Sequence, residues 1–221
     1  MESCTAPSDP AEHAVAADRC ARKIVEFWYA YCGALAAAER QAVRHAPWKV
    51  KGNMNTQLSG HEEIIANYGN CPSQLEATLL GLSEINLDLR TSAEGWAIRE
   101  IVHHIADGDD MWKMFIKQAI GNPDSEFFLN WYWQVPQDAW AKSWNYTERS
   151  IEPSLAIFRA NRSHIVQLLR STPGAMEKRL RVRWPKIGER EVRVASVVEG
   201  QTHHAIEHIA EIDKIRGAHS I

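Results

Sequence analysis

The sequence has no excess of basic residues, no long apolar run and no obvious targeting segment. Its 221 residues include 25 Lys and Arg against 28 Asp and Glu, which gives a formal net charge of −3. Because nucleic acids and anionic membranes attract basic surfaces, this balance argues against both as partners. The apolar run at 27–38 is too short to span a bilayer, and the first residues are polar and acidic, unlike a signal peptide. We therefore expect a soluble, cytoplasmic protein.

Closely paired cysteines and the common nucleotide and nucleophile motifs are also missing. Cys4, Cys20, Cys32 and Cys71 all lie in the first third of the chain and form no CxxC pair. This pattern is typical of reduced thiols in a cytosolic protein, although the spacing alone also permits a small set of disulfides. No GxSxG, P-loop or GxGxxG motif in its proper context is present. The sequence therefore does not support a serine hydrolase or a nucleotide- or dinucleotide-binding protein.

Periodic apolar residues predict four long helices and one small hairpin. The helical patterns cover 59–82, 97–120, 152–169 and 195–216. Gly69, Asn70 and Pro72 interrupt the first pattern, which predicts a broken or kinked helix. Apolar residues alternate with arginines over 179–184 and alternate again at 192–194, as in a β-hairpin with solvated arginines. We predict an all-α fold, a four-helix bundle with a small β-hairpin before the last helix.

The first 53 residues are predicted to be a separate N-terminal helical extension, with the bundle domain at 54–221. Residues 11–46 are rich in Ala, Glu and Arg, and Pro47 ends this helical pattern. The extension carries an aromatic cluster, Phe27, Trp28, Tyr29 and Tyr31, which needs a surface to bury against. That surface is either the bundle or another subunit, so a homodimer is one of the two arrangements expected.

The connection between the second and third helices, 124–149, is unusually aromatic for a loop. Its large rings are Phe127, Phe128, Trp131, Tyr132, Trp133, Trp140 and Trp144. A polar surface loop would not carry so many apolar rings. We expect it to cover the bundle core, and lining a pocket is a compatible second role.

Each of two helices contains a histidine pair whose members are predicted to face opposite ways. On the second helix, His104 lies at the edge of the apolar face, next to Ile101 and Ile105, whereas His103 points toward Glu100, Asp107 and Asp110. His103 is therefore predicted to meet water. Asp107 is then either a partner of the site or, as the face analysis favours, a charge on the wet face.

The last helix carries His204 and His208 with i, i+4 spacing on its mostly apolar arc, and His203 falls on the opposite side. This spacing stacks two imidazoles one turn apart, so that both can bind one metal ion. Together with His104 they predict a three-histidine metal site. Three histidines hydrogen-bonded at the core edge are the alternative. Gln201 shares the face and is predicted to pack between helices, with a contact to bound water or substrate as the other reading.

The segments GWAIREIVHHIAD and HHAIEHIAEIDKIR, about a hundred residues apart, resemble the DinB/YfiT-like superfamily over roughly 54–216. The resemblance implies a four-helix bundle in which three histidines hold a divalent metal. By this resemblance, the metal-binding histidines of the family correspond to His104 and to the pair His204 and His208. Residues 1–53 lie outside it.

The resemblance implies several reactions. Some relatives transfer low-molecular-weight thiols such as bacillithiol or mycothiol, and others are isomerases, hydrolases or proteins without known activity. We expect a metal-dependent thiol S-transferase that joins a small thiol to an electrophilic substrate, with a metal-dependent hydrolase or a non-catalytic stress-associated protein as alternatives. We expect one divalent metal ion, nickel or zinc first and manganese or iron as alternatives. Imidazole suits zinc, nickel, copper and iron alike, so the sequence does not choose among them.

Overall fold

The computed structural model describes residues 54–185 and 188–221, in which four long helices form the predicted bundle. These are α1 (Met54–Leu79), α2 (Ile98–Gly121), α5 (Glu152–Ser171) and α6 (Val194–His219), with two short helices between α2 and α5. The predicted four-helix fold is confirmed. The predicted N-terminal extension, with its aromatic cluster and Cys4, Cys20 and Cys32, lies outside the described residues. In the described part of the chain, no helix is both long and apolar enough for a membrane span.

Helix α1 differs from its prediction because it continues through Pro72 and begins at Met54, before the predicted start at residue 59. Proline has no N–H, so within a helix it leaves the carbonyl four residues earlier without its usual donor. That carbonyl belongs to Tyr68, and it accepts a hydrogen bond from Nη1 of Arg162 on α5 at 3.0 Å. A side chain from another helix thus satisfies the group that the proline leaves open.

The four long helices form a ring in which α1 and α2 each pack against both α5 and α6. Consecutive helices α1 and α2 therefore lie diagonally rather than side by side. Two apolar clusters fill the interior, one around Phe115 and Trp112 and the other around Ile101 and Ile212. A polar layer separates the clusters, and each long helix supplies one of its members: Tyr68, Asp109, Arg162 and Gln201.

The connection between α2 and α5 covers the first cluster and contains more regular structure than predicted. It includes β1 (Glu126–Phe127), α3 (Asn130–Trp133) and α4 (Gln137–Ser143). Phe127, Leu129 and Tyr132 are buried in the cluster, so the predicted covering role is confirmed.

The predicted hairpin is present as β2 (Arg179–Trp184) and β3 (Gly188–Arg193). The two strands pair antiparallel, with Leu180 opposite Val192. Strand β1 was not predicted; it pairs parallel to β2 and completes a three-stranded sheet. The arginines of β2 are exposed as expected and form ion pairs across the sheet, for example Arg183 with Glu126 at 2.6 Å.

Candidate metal centre

Helices α2 and α6 bring together the three histidines that the sequence singled out. One ring nitrogen from each of His104, His204 and His208 lies within 4.8 Å of the other two. The Nε2 atoms of His104 and His204 are 3.0 Å apart. Among the described residues, no other group of three His, Cys, Asp or Glu side chains is placed to hold a metal ion.

Close contact between the two helices allows the rings to meet. Gly108 lies one turn after His104 on α2, and a Cβ atom at this position would lie 3.5 Å from Cε1 of His204. That distance is an ordinary van der Waals contact, so the backbone of α2 at Gly108 lies directly beside the imidazole of α6. On α6 itself, the i, i+4 spacing stacks His204 and His208 with ring centroids 4.7 Å apart.

Burial keeps the imidazoles of His104 and His204 neutral. Desolvation, followed by the neighbouring rings of His208 and His204, holds the pKa of His104 well below its usual value. Desolvation also lowers the pKa of His204 strongly, with smaller contributions from His208 and Arg162. A neutral imidazole has one nitrogen lone pair, which is the form that binds a metal ion.

Two residues that the sequence analysis gave no role at the site hold the rings in place. Trp96 packs edge-on against His104, with centroids 4.5 Å apart, and lies parallel to His208 at 6.3 Å. Nδ1 of His208 lies 3.1 Å from Oε2 of Glu211. Because a carboxylate accepts, Nδ1 carries the proton, which leaves Nε2 as the lone-pair nitrogen. This carboxylate–histidine pairing is common behind metal ligands.

The donor set fits a divalent metal. Nitrogens about 2.0–2.1 Å from one tetrahedral zinc ion lie about 3.3 Å apart, close to the 3.0 Å between the Nε2 atoms of His104 and His204. Three neutral imidazoles also leave an ion with open coordination positions. The cluster therefore suggests a divalent metal site, without indicating which metal.

The prediction for His103 was wrong, whereas the prediction for His203 holds. His203 is exposed, but His103 is 0% exposed. Nε2 of His103 lies 3.3 Å from the main-chain oxygen of Arg149, which can only accept, so Nε2 donates. Nδ1 then accepts from the hydroxyl of Ser154 at 2.8 Å. Burial lowers the pKa of His103 to about 4, so the ring is neutral at pH 7.

We expect His103→Ala to destabilise the fold and to leave the metal content unchanged. The substitution removes a buried ring and its two hydrogen bonds, which costs about 1–3 kcal/mol of unfolding free energy. His203→Ala is the matched control, and we expect a change below about 0.5 kcal/mol because this side chain is exposed. Urea unfolding and elemental analysis of both variants test this. Loss of metal from His103→Ala alone would mean that the ligand on α2 was misassigned.

Asp107 differs from its predicted place on a wet face, whereas Gln201 packs between helices as predicted. Asp107 is half-buried and accepts a hydrogen bond from the Tyr146 hydroxyl at 2.5 Å, so it is not a charge on a wet face. Burial raises the pKa of Asp107, although Tyr146 and Arg149 oppose this. Gln201 is 2% exposed, and its main-chain oxygen accepts from Arg162 at 2.9 Å. Its side-chain oxygen is buried without a hydrogen-bond partner among the described residues.

Known proteins resemble this chain in sequence and in fold. A protein of Geobacillus thermodenitrificans described as "Putative metal-dependent hydrolase" is 25% identical over 155 residues, which is 70% of this chain and 83% of that protein. A protein of the same description from Oceanobacillus iheyensis is 24% identical over 154 residues, 69% of this chain and 84% of the relative.

A solved structure shares the bundle. YfiT from Bacillus subtilis, described as "a probable metal-dependent hydrolase with an unusual four-helix bundle topology", superposes with a TM-score of 0.64 at 17% identity. The match covers 80% of this chain and 96% of YfiT. The sequence model of the DinB superfamily matches residues 68–212, which include all three clustered histidines. The chain belongs to the DinB superfamily.

Proposed function

We propose that His104, His204 and His208 hold one divalent metal ion and that the protein is a metal-dependent enzyme acting on small molecules. Nickel or zinc is the first choice, and manganese or iron are the alternatives. The observation that carries the proposal is the convergence of three histidine ring nitrogens within 4.8 Å of one another. A core that needed only apolar packing would not place three imidazoles against one another.

The reaction proposed first is transfer of a low-molecular-weight thiol to an electrophile. When bound, such an ion supplies Lewis acidity, so that a small nucleophile loses its proton more readily than in bulk water. Thiolate is the reactive form of a thiol. The chain's own contribution is to hold three lone pairs in place, with Glu211 fixing the ring of His208 and Trp96 shielding two rings from water.

Metal-dependent hydrolysis is the second candidate, and the descriptions of the two sequence relatives favour it. A non-catalytic protein with a structural metal is the third possibility carried from the sequence. Coordination separates the third from the other two, because a catalytic metal keeps an exchangeable water whereas a structural metal has a closed shell. Proton relaxation of water in solutions of the manganese-loaded protein shows directly whether the bound metal has an exchangeable water.

We expect the metal-loaded protein to form a conjugate between a bacterial thiol and a chlorinated aromatic or an epoxide. The His204→Ala/His208→Ala variant should lose this rate, because it retains only one ring of the proposed centre. Bacillithiol, mycothiol and cysteine are each tested as the thiol, and the conjugates are detected by mass spectrometry. If no thiol reacts faster than in the metal-stripped control, while an ester or amide is cleaved only with metal, hydrolysis replaces thiol transfer.

A further inference from the structure

A cavity of about 330 Å³ lies between α2 and the aromatic connection, starting one helical turn after His104. Met111 and Met114 of α2 form one side, and Leu129, Trp131 and Trp144 form the other. Trp131 is 52% exposed and Met114 is 53% exposed. A cavity of this size with mostly apolar walls suits a small molecule.

The polar groups of this cavity are two carboxylates with different surroundings. Asp110 already has a cationic partner, because its Oδ1 accepts from Nζ of Lys113 and from Nδ2 of Asn161, although no hydrogen bond to its Oδ2 is formed by the described residues. Asp107 has only the Tyr146 hydroxyl, which occupies Oδ2. Its Oδ1 has no hydrogen-bond partner among the described residues, and Arg149 acts on this carboxylate only at longer range.

We propose that this cavity binds the ammonium group of a small, amine-bearing apolar molecule. An ammonium donates to the open oxygen of Asp107, and the indole rings of Trp131 and Trp144 attract the positive charge and the apolar body. The open oxygen of Asp107 can only accept a hydrogen bond. A primary or secondary amine has an N–H to donate, so it fits better than a quaternary one. The proposal does not depend on the proposed function, because none of the three clustered histidines lines this cavity.

Three ligands of nearly the same shape and different charge test the proposal: benzylamine, benzyl alcohol and benzoate. Binding is followed by calorimetry and by tryptophan fluorescence of the full chain. We expect benzylamine to bind at least about tenfold more tightly than benzyl alcohol, which is the effect of one charge-assisted hydrogen bond. Benzoate should bind least, because Asp107 repels it.

Three variants distinguish recognition of the ligand's charge from nonspecific hydrophobic binding. Asp107→Asn keeps an acceptor for the Tyr146 hydroxyl. We expect it to lower the affinity for benzylamine by about tenfold and to leave the affinity for benzyl alcohol unchanged. Trp131→Ala, at an exposed position, should lower the affinity for both benzylamine and benzyl alcohol. Asp138→Asn on α4, an exposed acid outside the cavity, should change neither.

The same titrations are repeated with His204→Ala/His208→Ala, where we expect benzylamine to bind as in the wild type. Failure of the metal proposal would therefore leave this result intact. Equal binding of amine and alcohol, tighter binding of benzoate, or no saturable binding of benzylamine would each overturn the proposal.

Discussion

The His204→Ala/His208→Ala variant is expected to contain no divalent metal above background, whereas the wild-type protein contains about one equivalent per chain. The variant removes two of the three ring nitrogens that lie within 4.8 Å of one another. A single imidazole does not hold a zinc or nickel ion in competition with buffer. Elemental analysis of protein purified without a nickel column measures this and also identifies the metal.

Stability provides a second measurement of the same site. A ligand at about 1,000 times its dissociation constant stabilises the folded state by about 4 kcal/mol, so added metal should raise the melting temperature of the wild-type protein. His204→Ala/His208→Ala should show no such rise. His203→Ala is the control, since this residue is exposed on the same helix and should retain the full effect. Equal metal content in the double variant and the wild type would contradict the assignment.

The sequence predicted those features that depend on periodicity within one helix. Apolar residues spaced three and four apart located all four long helices, and the same spacing placed His104 on the core side of α2 and His204 on that of α6. Both are buried in the structure. Local periodicity is informative here because each helix must bury one face.

His103 shows where that reasoning fails. Its neighbours on the helix wheel, Glu100, Asp107 and Asp110, are acidic, and this indicated a solvent-facing side. The chain between α4 and α5 passes over this side, and it supplies the carbonyl of Arg149, the ring of Tyr146 and then Ser154 at the start of α5. A contact between segments about fifty residues apart cannot be read from the pattern of one helix.

The polar layer within the bundle was also missed, although the sequence contains a signal for it. Arg162 falls on the apolar stripe of α5 between Phe158 and Ile165, and Asp109 falls on that of α2 between Ile105 and Trp112. A single charged residue on each of two apolar stripes, with opposite signs, predicts a buried ion pair. In the structure both side chains are 1% exposed, and Nε of Arg162 donates to Oδ1 of Asp109 at 2.7 Å.

Arg162→Met is expected to lower the free energy of unfolding by about 3–5 kcal/mol, because it leaves the Asp109 carboxylate buried without its partner. Arg162 also donates to the main-chain oxygens of Tyr68 and Gln201, so all three other helices lose a contact. Arg159→Met is the matched control on the same helix. Arg159 is exposed and pairs with the half-buried Glu76, and we expect a loss below about 1 kcal/mol.

The double variant Arg162→Met/Asp109→Leu is expected to be more stable than Arg162→Met alone. It replaces both charges with apolar side chains of similar size, which removes the cost of a lone buried carboxylate. Urea unfolding of the two variants and of Asp109→Leu gives the coupling energy between the two sites. A double variant no more stable than Arg162→Met would show that the loss comes from packing and from the main-chain oxygens of Tyr68 and Gln201 that lose their donor, and not from the unpaired charge.

Pro72 tests the remaining role of Arg162, which is to satisfy the carbonyl that the proline leaves open. Pro72→Ala returns an N–H four residues after Tyr68, so a helical hydrogen bond can replace the one from the guanidinium. We expect Pro72→Ala to stabilise Arg162→Met by about 1 kcal/mol more than it stabilises the wild type, since one buried carbonyl regains a donor. Urea unfolding of the four proteins in this cycle measures the difference. An equal effect of Pro72→Ala in both backgrounds would mean that the Tyr68 carbonyl does not depend on Arg162, and that α1 tolerates its proline for another reason.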